Sequence, residues 1–301
     1  MKRITTFLLV LSLLLSFGCA FALTPGDRLV VVGADLTQTQ IESVYETFGL
    51  HRGEVPELTI TSSEERQYLE GLVDESVIGT KSISCICIEV LEPGSGLELR
   101  TNNITWCTKE MFLTALSTAG VTDARVIVSA PWASAGTAAL AGIYKAWESL
   151  SGETLDDTAK DAGAQELSVA ASLSGKIGSA DALRIIAELK KLVGSEPALD
   201  GDALTEKIGE LASDLNIRLP EGGSEELQNL FGALKKLDPR ELREKAERAA
   251  ETLQKLQAAK EKASSFADAV RRFFRTIADF FRTLFGKQKD LQKAVDKPFF
   301  L

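Results

Sequence analysis

A short turn between an apolar strand and a small-residue helix has the residue types best suited to binding a small anion. The apolar run is Val126–Ala130, and Ser134, Gly136 and Thr137 lie in the turn before the helix. Free backbone N–H groups at a helix N-terminus, together with two hydroxyls, suit a phosphate or a carboxylate. The turn lacks the lysine and the spacing of a phosphate-binding loop. The alternative interpretation is a helix start whose small residues allow close packing.

A second candidate is the stretch Asn102-Asn103-Ile104-Thr105-Trp106, at the end of a predicted strand. An exposed Trp106 beside the amide of Asn103 would form a platform on which a sugar ring stacks, because the indole is a large amphipathic surface. This interpretation suits a cell-wall polymer as ligand. The alternative is that Trp106 anchors the sheet to the core.

No complete catalytic or cofactor motif is present. His51 is the only histidine and lies in a polar loop, where a lone histidine is usually a surface residue. Carboxylate pairs are abundant because the chain is acidic, and none marks a two-carboxylate glycosidase. Asp156, Asp157 and Asp161 lack the ligand spacing of a calcium loop. We expect no cofactor and favour a non-enzymatic protein, with an enzyme acting on cell-wall polymer as the alternative.

Three cysteines follow the N-terminal segment. Cys85 and Cys87 point the same way from one strand, so they are poorly placed to bond each other, but either one is a candidate partner for Cys107. A disulfide between them would need a bulge or a slipped register. The Cys-x-Cys spacing with one distant cysteine is not that of a zinc site, and we expect no metal.

The elements that must position these residues alternate in the order β-α-β-α-β-β-α-β-α up to about residue 150. Lys81–Leu91 and Leu97–Trp106 flank a Pro-Gly-Ser-Gly turn, which predicts an antiparallel hairpin. Ser62–Glu65 has the capping-box pattern and begins a helix to about Leu72. The Val126–Ala130 strand is predicted to end at Pro131. Residues 23–150 therefore predict a mixed α/β layered domain.

From residue 151 onward the pattern is helical. Glycine, proline and serine breaks separate a helical region at 151–223 from a tail at 224–301. Asp238 and Pro239 suit the cap and first turn of a long helix, and an apolar stripe at 4-3 spacing runs from Leu242 to Leu284. The predicted fold class is α+β: an N-terminal mixed α/β layered domain with an antiparallel hairpin, followed by an all-helical C-terminal region that ends in a long amphipathic helix.

The last part of this helix has an aromatic face and a basic back. The phenylalanines that share the face are Phe266, Phe273, Phe274, Phe280, Phe281 and Phe285, and the arginines opposite are Arg271, Arg275 and Arg282. Such a helix suits an anionic membrane surface, because the rings enter the interface while the cations meet lipid headgroups. The alternatives are packing on its own chain, a protein partner, or a homo-oligomeric coiled coil, for which the 4-3 spacing is typical.

The N-terminal 22 residues have the features of a signal peptide. Lys2 and Arg3 precede the apolar run Phe7–Phe17, and Ala20-Phe21-Ala22 is a small-x-small cleavage site. The residues before Cys19 do not favour its lipidation. We therefore expect a secreted, extracytoplasmic protein.

Charge divides the mature chain unevenly. Residues 23–238 carry 17 Lys and Arg against 34 Asp and Glu, whereas residues 239–301 carry 15 against 9. An acidic body with a basic tail predicts different roles for the two ends, or contact between them. Nucleic acid is not an expected partner of a secreted acidic protein.

Residues 24 to about 147 resemble the YpuA-like family, a domain of unknown function in secreted bacterial proteins. The stretches that carry the resemblance are Val32–Leu36, Ile78-Gly79, Asn103–Trp106, Ala130-Pro131, Gly136–Leu140 and Gly142-Ile143. The resemblance implies secretion and a cell-envelope setting in a Gram-positive-type bacterium, and it implies no catalytic residues. It also implies that the three cysteines stand where relatives have ordinary strand residues.

Together these observations favour a secreted, cell-envelope-associated binding or scaffolding protein. The tail helix would contact a membrane surface or a partner. The first alternative is an enzyme that acts on cell-wall polymer, with its site in the α/β domain. The second is an elongated structural oligomer built on the long helix.

Overall fold

A five-stranded mixed sheet forms the centre of the protein in a computed structural model that describes residues 23–253. The strands are β1 (Arg28–Gly33), β2 (Glu57–Ile60), β3 (Cys85–Val90), β4 (Leu97–Ile104) and β5 (Ala124–Ser134). They lie in the order β2-β1-β3-β5-β4. β1 and β2 are parallel, β4 and β5 are parallel, and β3 is antiparallel to both of its neighbours. The predicted mixed α/β class is confirmed.

The predicted hairpin between β3 and β4 is wrong, because β5 lies between the two strands. Alternate residues of β5 from Ala124 to Ala130 are fully buried, whereas β4 alternates buried with exposed residues, so β5 suits an interior position and β4 the edge. The loop from β3 to β4 crosses the start of β5 and is held there by Asp123. The backbone oxygen of Asp123 accepts from Leu91, and its side chain accepts from Gly96.

Helices lie on both faces of the sheet and in a further layer. They are α1 (Gln38–Phe48), α2 (Ser62–Leu69), α3 (Glu75–Ile78), α4 (Lys109–Ala119), α5 (Ala138–Ser151), α6 (Asp157–Ile177), α7 (Ser179–Ser195), α8 (Gly201–Asp214) and α9 (Gly223–Leu234). Residues 239–253 are also helical. As predicted, Asp238 caps this helix by accepting from two backbone N–H groups. The rest of the predicted long amphipathic helix lies outside the described residues.

The start of α2 differs from the prediction by one residue. The cap is Thr61, whose hydroxyl accepts from the N–H of Glu64, while the Glu64 carboxylate accepts from the N–H of Thr61. The capping box therefore does not use Ser62 and Glu65. Glu65 instead shares the inward face of the helix with Leu69, four residues on, and both are buried.

The two faces of the sheet are covered differently. α1 covers the face on which Val30, Val32, Cys85 and Cys87 form a core cluster. α5 covers the opposite face, where a Cβ on Gly142 would overlap the side chain of Ile86. The small residues of this helix thus let its backbone lie close to the sheet.

A buried ion pair joins the helical layer to the α/β layer. α6 packs on α4 and α7 packs on α6. Lys190 of α7 lies 2.6 Å from a carboxylate oxygen of Glu166 of α6, and the hydroxyl of Thr118 in α4 donates to the other oxygen at 2.6 Å. The side chains of Lys190 and Glu166 are 4% and 0% exposed. Of the described residues, 23–250 belong to one compact unit.

Within residues 23–253 we find no helix that combines the length and the apolar character needed to cross a lipid bilayer. The same residues contain no cluster of three or more His, Cys, Asp or Glu side chains arranged to hold a metal ion.

Candidate functional site

The ends of β4 and β5 form an irregular protrusion at one end of the sheet. The parallel pairing is regular up to Asn102 and Ser129, and it resumes with Ile104 opposite Ser134. β5 therefore has four residues between these pairs where β4 has only Asn103. The extra residues of β5, from Ala130 to Ala133, form a bulge, and Asn103 adopts a left-handed backbone conformation with φ 59°. We call residues 130–133 the β5 bulge.

Hydrogen bonds from β4 hold the β5 bulge at both of its ends. The side-chain amide of Asn103 donates to the carbonyl of Ala130 at 2.8 Å. Beyond the bulge, the N–H of Thr105 donates to the carbonyl of Ser134 at 2.8 Å, and the Thr105 hydroxyl donates to the same oxygen. The bulge is therefore a fixed protrusion rather than a loop held only by its chain ends.

Trp132 lies in the β5 bulge and is 45% exposed. Among the described residues, no other large hydrophobic side chain is exposed. Trp106, at the end of β4, is half-buried. The amide side chains of Asn102 and Asn103 are exposed beside the bulge, and both use their N–H groups on β5. An exposed indole on a fixed backbone, flanked by amides, is a surface typical of ligand contact.

The structure brings the two predicted binding candidates together. Asn103 and Trp106 were predicted as one group, and Ser134, Gly136 and Thr137 as another, about 30 residues later in the chain. The pairing of β4 with β5 puts both groups at the same end of the sheet. Trp132 is the residue that the sequence analysis missed, because Pro131 predicted the end of the strand. A proline also suits a bulge, since its missing N–H costs no ladder bond there.

The turn after the β5 bulge packs tightly and does not resemble an open anion site. A Cβ on Gly136, which has φ 89°, would lie 2.5 Å from the side chain of Ile104. Thr137 is buried, and its side chain makes no capping hydrogen bond to α5. The Thr137 side chain lies close to the carboxyl group of Glu65 and lowers its pKa. An anion bound here would meet that carboxylate, so the close-packing interpretation fits better.

Replacing Gly136 with alanine is expected to lower the free energy of unfolding by about 1–3 kcal/mol, because the new Cβ collides with Ile104 and φ is positive. Gly53→Ala is the matched control. Gly53 has φ 95° but no atom within 4 Å of a built Cβ, so it tests the backbone strain alone. Urea denaturation of both variants measures the difference. Equal losses would show that contact with Ile104 does not restrict this position.

Glu65 is the most unusual ionisable group near this end of the sheet. It is 1% exposed, and neither carboxylate oxygen has a hydrogen-bond partner among the described residues. Burial is the main cause that raises the pKa of Glu65, to about 7, and the nearby Thr137 side chain and Arg66 lower it only partly. Glu65 did not stand out in the sequence, because it occupies the last position of the capping-box pattern Ser62–Glu65.

The three cysteines are free thiols, so the disulfide suggested for Cys107 with Cys85 or Cys87 is not formed. Cys85 and Cys87 belong to the cluster beneath α1. Cys107 instead lies near Gly136 and Glu65, on the α5 side. Cys107 therefore has different neighbours from Cys85 and Cys87. Burial raises the pKa of all three thiols, to about 11 for Cys85 and Cys87.

His51, Asp156 and Asp157, the other polar residues considered from the sequence, make hydrogen bonds or ion pairs that serve the fold. His51 is exposed, and its backbone N–H donates to the side chain of Glu54. Asp156 caps α6 by accepting from Ala159 at 2.9 Å, and Asp157 pairs with Lys160. The aromatic and arginine faces predicted for the tail lie outside the described residues.

Comparisons with known proteins place the chain beside uncharacterised relatives. Residues 32–251 match a sequence family described as a protein of unknown function, DUF1002. The chain is 34% identical over 264 residues to the uncharacterized protein YpuA of Bacillus subtilis (strain 168), and the alignment covers 87% of this chain and 88% of YpuA. No solved structure matches the chain significantly. These findings confirm the resemblance and bring no ligand or reaction with them.

Proposed function

Because the chain belongs to DUF1002, a family of proteins of unknown function, we propose its role from its own surface. It is a secreted, envelope-associated binding protein without enzymatic activity, and it binds the glycan part of a cell-wall polymer at the β5 bulge. The signal-peptide features of residues 1–22 support secretion.

The observation that carries this proposal is the exposure of Trp132 on a backbone that β4 holds in place. An indole leaves 45% of its surface in water here, although burial of an aromatic side chain is strongly favourable. A sugar ring that stacks on it would recover that free energy. The side-chain oxygens of Asn102 and Asn103 have no protein partner in the described part of the chain, and they suit the hydroxyl groups of a sugar.

The same surface favours binding over hydrolysis. A two-carboxylate glycosidase needs a pair of Asp or Glu residues on either side of the bond that it cleaves. The ends of β4 and β5 with the helix that follows, residues 101–108 and 126–144, contain no Asp or Glu. Glu65 is fully buried. A glycosidase at this site would therefore need both catalytic carboxylates from other segments of the chain.

Trp132→Ala should weaken binding of the mature chain, residues 23–301, to purified peptidoglycan by about 10- to 100-fold, the range expected for an aromatic hot spot. Trp132→Phe should retain most of the affinity, because a ring remains for stacking. Co-sedimentation with insoluble peptidoglycan measures the bound fraction. If wild type and Trp132→Ala sediment equally, the β5 bulge is not the site. Release of soluble sugar by the wild type would support the enzyme alternative instead.

The tail has a separate proposed role, which is to hold the protein at an anionic membrane surface or on a partner. The sequence supports it with the aromatic face that includes Phe273 and Phe281 and with the opposite arginines. Replacing Arg271, Arg275 and Arg282 with glutamine should abolish co-sedimentation with anionic vesicles. Neutral vesicles serve as the control. If the wild type binds neither vesicle, the aromatic face is covered by protein.

The start of the apolar stripe bears on the oligomer alternative. Leu242 and Ala249 are buried within the compact unit that ends at Ala250. At these positions the stripe packs on its own chain. In a homo-oligomeric coiled coil it would instead be free to pack on a second copy. This packing supports a monomer with an attached tail over an elongated oligomer.

A further inference from the structure

The junction between α2 and the start of α5 contains a carboxyl group in an environment that suits only its neutral form. Both oxygens of Glu65 are inaccessible to solvent and make no hydrogen bond of good geometry, and the nearby Thr137 side chain offsets the effect of burial only in part. An ionised carboxylate without a partner is costly in the interior of a protein, whereas a neutral carboxylic acid is much less so. The state of this one proton therefore decides how well the junction packs.

Few charges act on Glu65 from the elements packed around it. Arg66, its neighbour in α2, attracts it weakly and is itself paired with Glu75. Lys145 of α5 is paired with Glu64. Lys160 of α6 is paired with Glu148 and Asp157.

The other titratable neighbour of Glu65 is the Cys107 thiol. Cys107 is fully buried, and the pKa of its thiol is raised mainly by burial and also by the charge of Glu65. The thiol is therefore neutral in the closed junction and adds no charge beside Glu65. Among the described residues, Arg66 attracts an ionised Glu65 only weakly, and no cation forms an ion pair with it.

We propose that Glu65 makes the α2–α5 junction a pH-sensitive switch, which is closed when the acid is protonated and opens locally when it is ionised. The inference goes beyond the proposed function and needs no ligand at the β5 bulge. The elements that would separate are α2, the turn through Gly136 and Thr137, and the segment at Cys107, which all meet at Glu65.

The direction of the pH effect follows from the raised pKa of Glu65, which is about 7 in the folded protein against an ordinary value of 4.5. Below pH 4.5 the acid is protonated whether the junction is closed or open, and the closed form has its full stability. As the pH rises toward about 7, the open form ionises first and becomes progressively favoured. Above about pH 7 both forms are ionised, and the effect levels off.

Cys107 reports the opening, because a buried thiol reacts with a soluble reagent only when the structure around it opens. The rate of alkylation of Cys107 by iodoacetamide is measured in the mature chain, residues 23–301, by peptide mass spectrometry. Wild type is compared with Glu65→Gln between about pH 5.5 and pH 8. Both proteins share the ordinary rise in thiolate with pH, so the ratio of their rates isolates Glu65.

We expect the wild-type to Glu65→Gln rate ratio at Cys107 to rise on the order of tenfold across this range. Glu70→Gln is the matched control and should keep the wild-type pH dependence, because Glu70 is exposed at the end of the same helix. A ratio that stays flat with pH would overturn the proposal.

A second readout needs no variant and covers the case in which Glu65→Gln does not fold. In the wild type, the Cys107 rate is divided by that of Cys87, which is also buried but lies beneath α1. Local opening at Glu65 predicts that this quotient increases with pH. A constant quotient would show that any opening is global, and it would contradict a switch at the junction.

Discussion

Lys190→Met is expected to lower the free energy of unfolding by about 3–5 kcal/mol, because it leaves the carboxylate of Glu166 buried without its cation. Glu166 would keep the hydroxyl of Thr118 as a donor, which offsets only part of the loss. The network joins α4, α6 and α7, so the damage should extend to the contact between the helical layer and the sheet. Urea denaturation followed by circular dichroism gives the free energy.

Two comparisons separate loss of the buried pair from loss of a lysine. Lys191→Met removes the adjacent lysine, which is 63% exposed and pairs with Glu188, and it should change stability by no more than about 0.5 kcal/mol. The double variant Glu166→Met with Lys190→Met should recover much of the loss, because it removes both buried charges. If Lys190→Met were as stable as Lys191→Met, the buried pair would not contribute to holding these helices.

Gly33→Ala should destabilise the protein by about 3 kcal/mol, the upper end of the usual cost of overpacking. A Cβ on Gly33 would lie 2.7 Å from the carbonyl carbon of Ser82 and 2.8 Å from the Cα of Ile83. These are backbone atoms, so no side-chain rotation relieves the collision. The segment at Ser82 is also fixed by hydrogen bonds in both directions with Asp35.

Gly175→Ala is the control for this substitution. Gly175 lies inside α6, its φ is not positive, and nothing lies within 4 Å of a built Cβ. The same change should therefore stabilise the protein by up to about 1 kcal/mol, through helix propensity alone. Thermal unfolding of the two variants should shift in opposite directions. A common direction would contradict the close approach of Gly33 to the Ser82 segment.

The local elements were predictable because their signals are local. Thr37 with Gln40, Thr108, and the glycines at 49 and 120 begin or end their helices as their residue types indicate. The packing of α5 on the sheet also followed from its small residues. In α2 the sequence offers two overlapping capping boxes, and only burial of Glu65 with Leu69 selects the earlier one.

The order of the strands was not predictable from neighbouring residues. The turn between β3 and β4 has hairpin residues, yet β5 enters between these strands because its buried residues gain more in an interior position than the half-exposed β4 would. That insertion also creates the candidate site. It pairs β4 with β5, brings Asn103 to Ala130, and so fixes the bulge that exposes Trp132. The pairing of β4 with β5, which are distant in sequence, therefore explains why the predicted β3–β4 hairpin was wrong and also where the candidate site lies.

Indole N–H resonances give the most direct test of ligand contact at the β5 bulge. The chain has three tryptophans, of which Trp132 is exposed, Trp106 is half-buried and Trp147 is 5% exposed. Nitrogen-15 spectra would be recorded while soluble peptidoglycan fragments are added. We predict a saturable shift of the Trp132 indole signal, with the Trp147 signal unchanged. An unchanged Trp132 signal, at fragment concentrations that shift signals elsewhere, would contradict the proposed site.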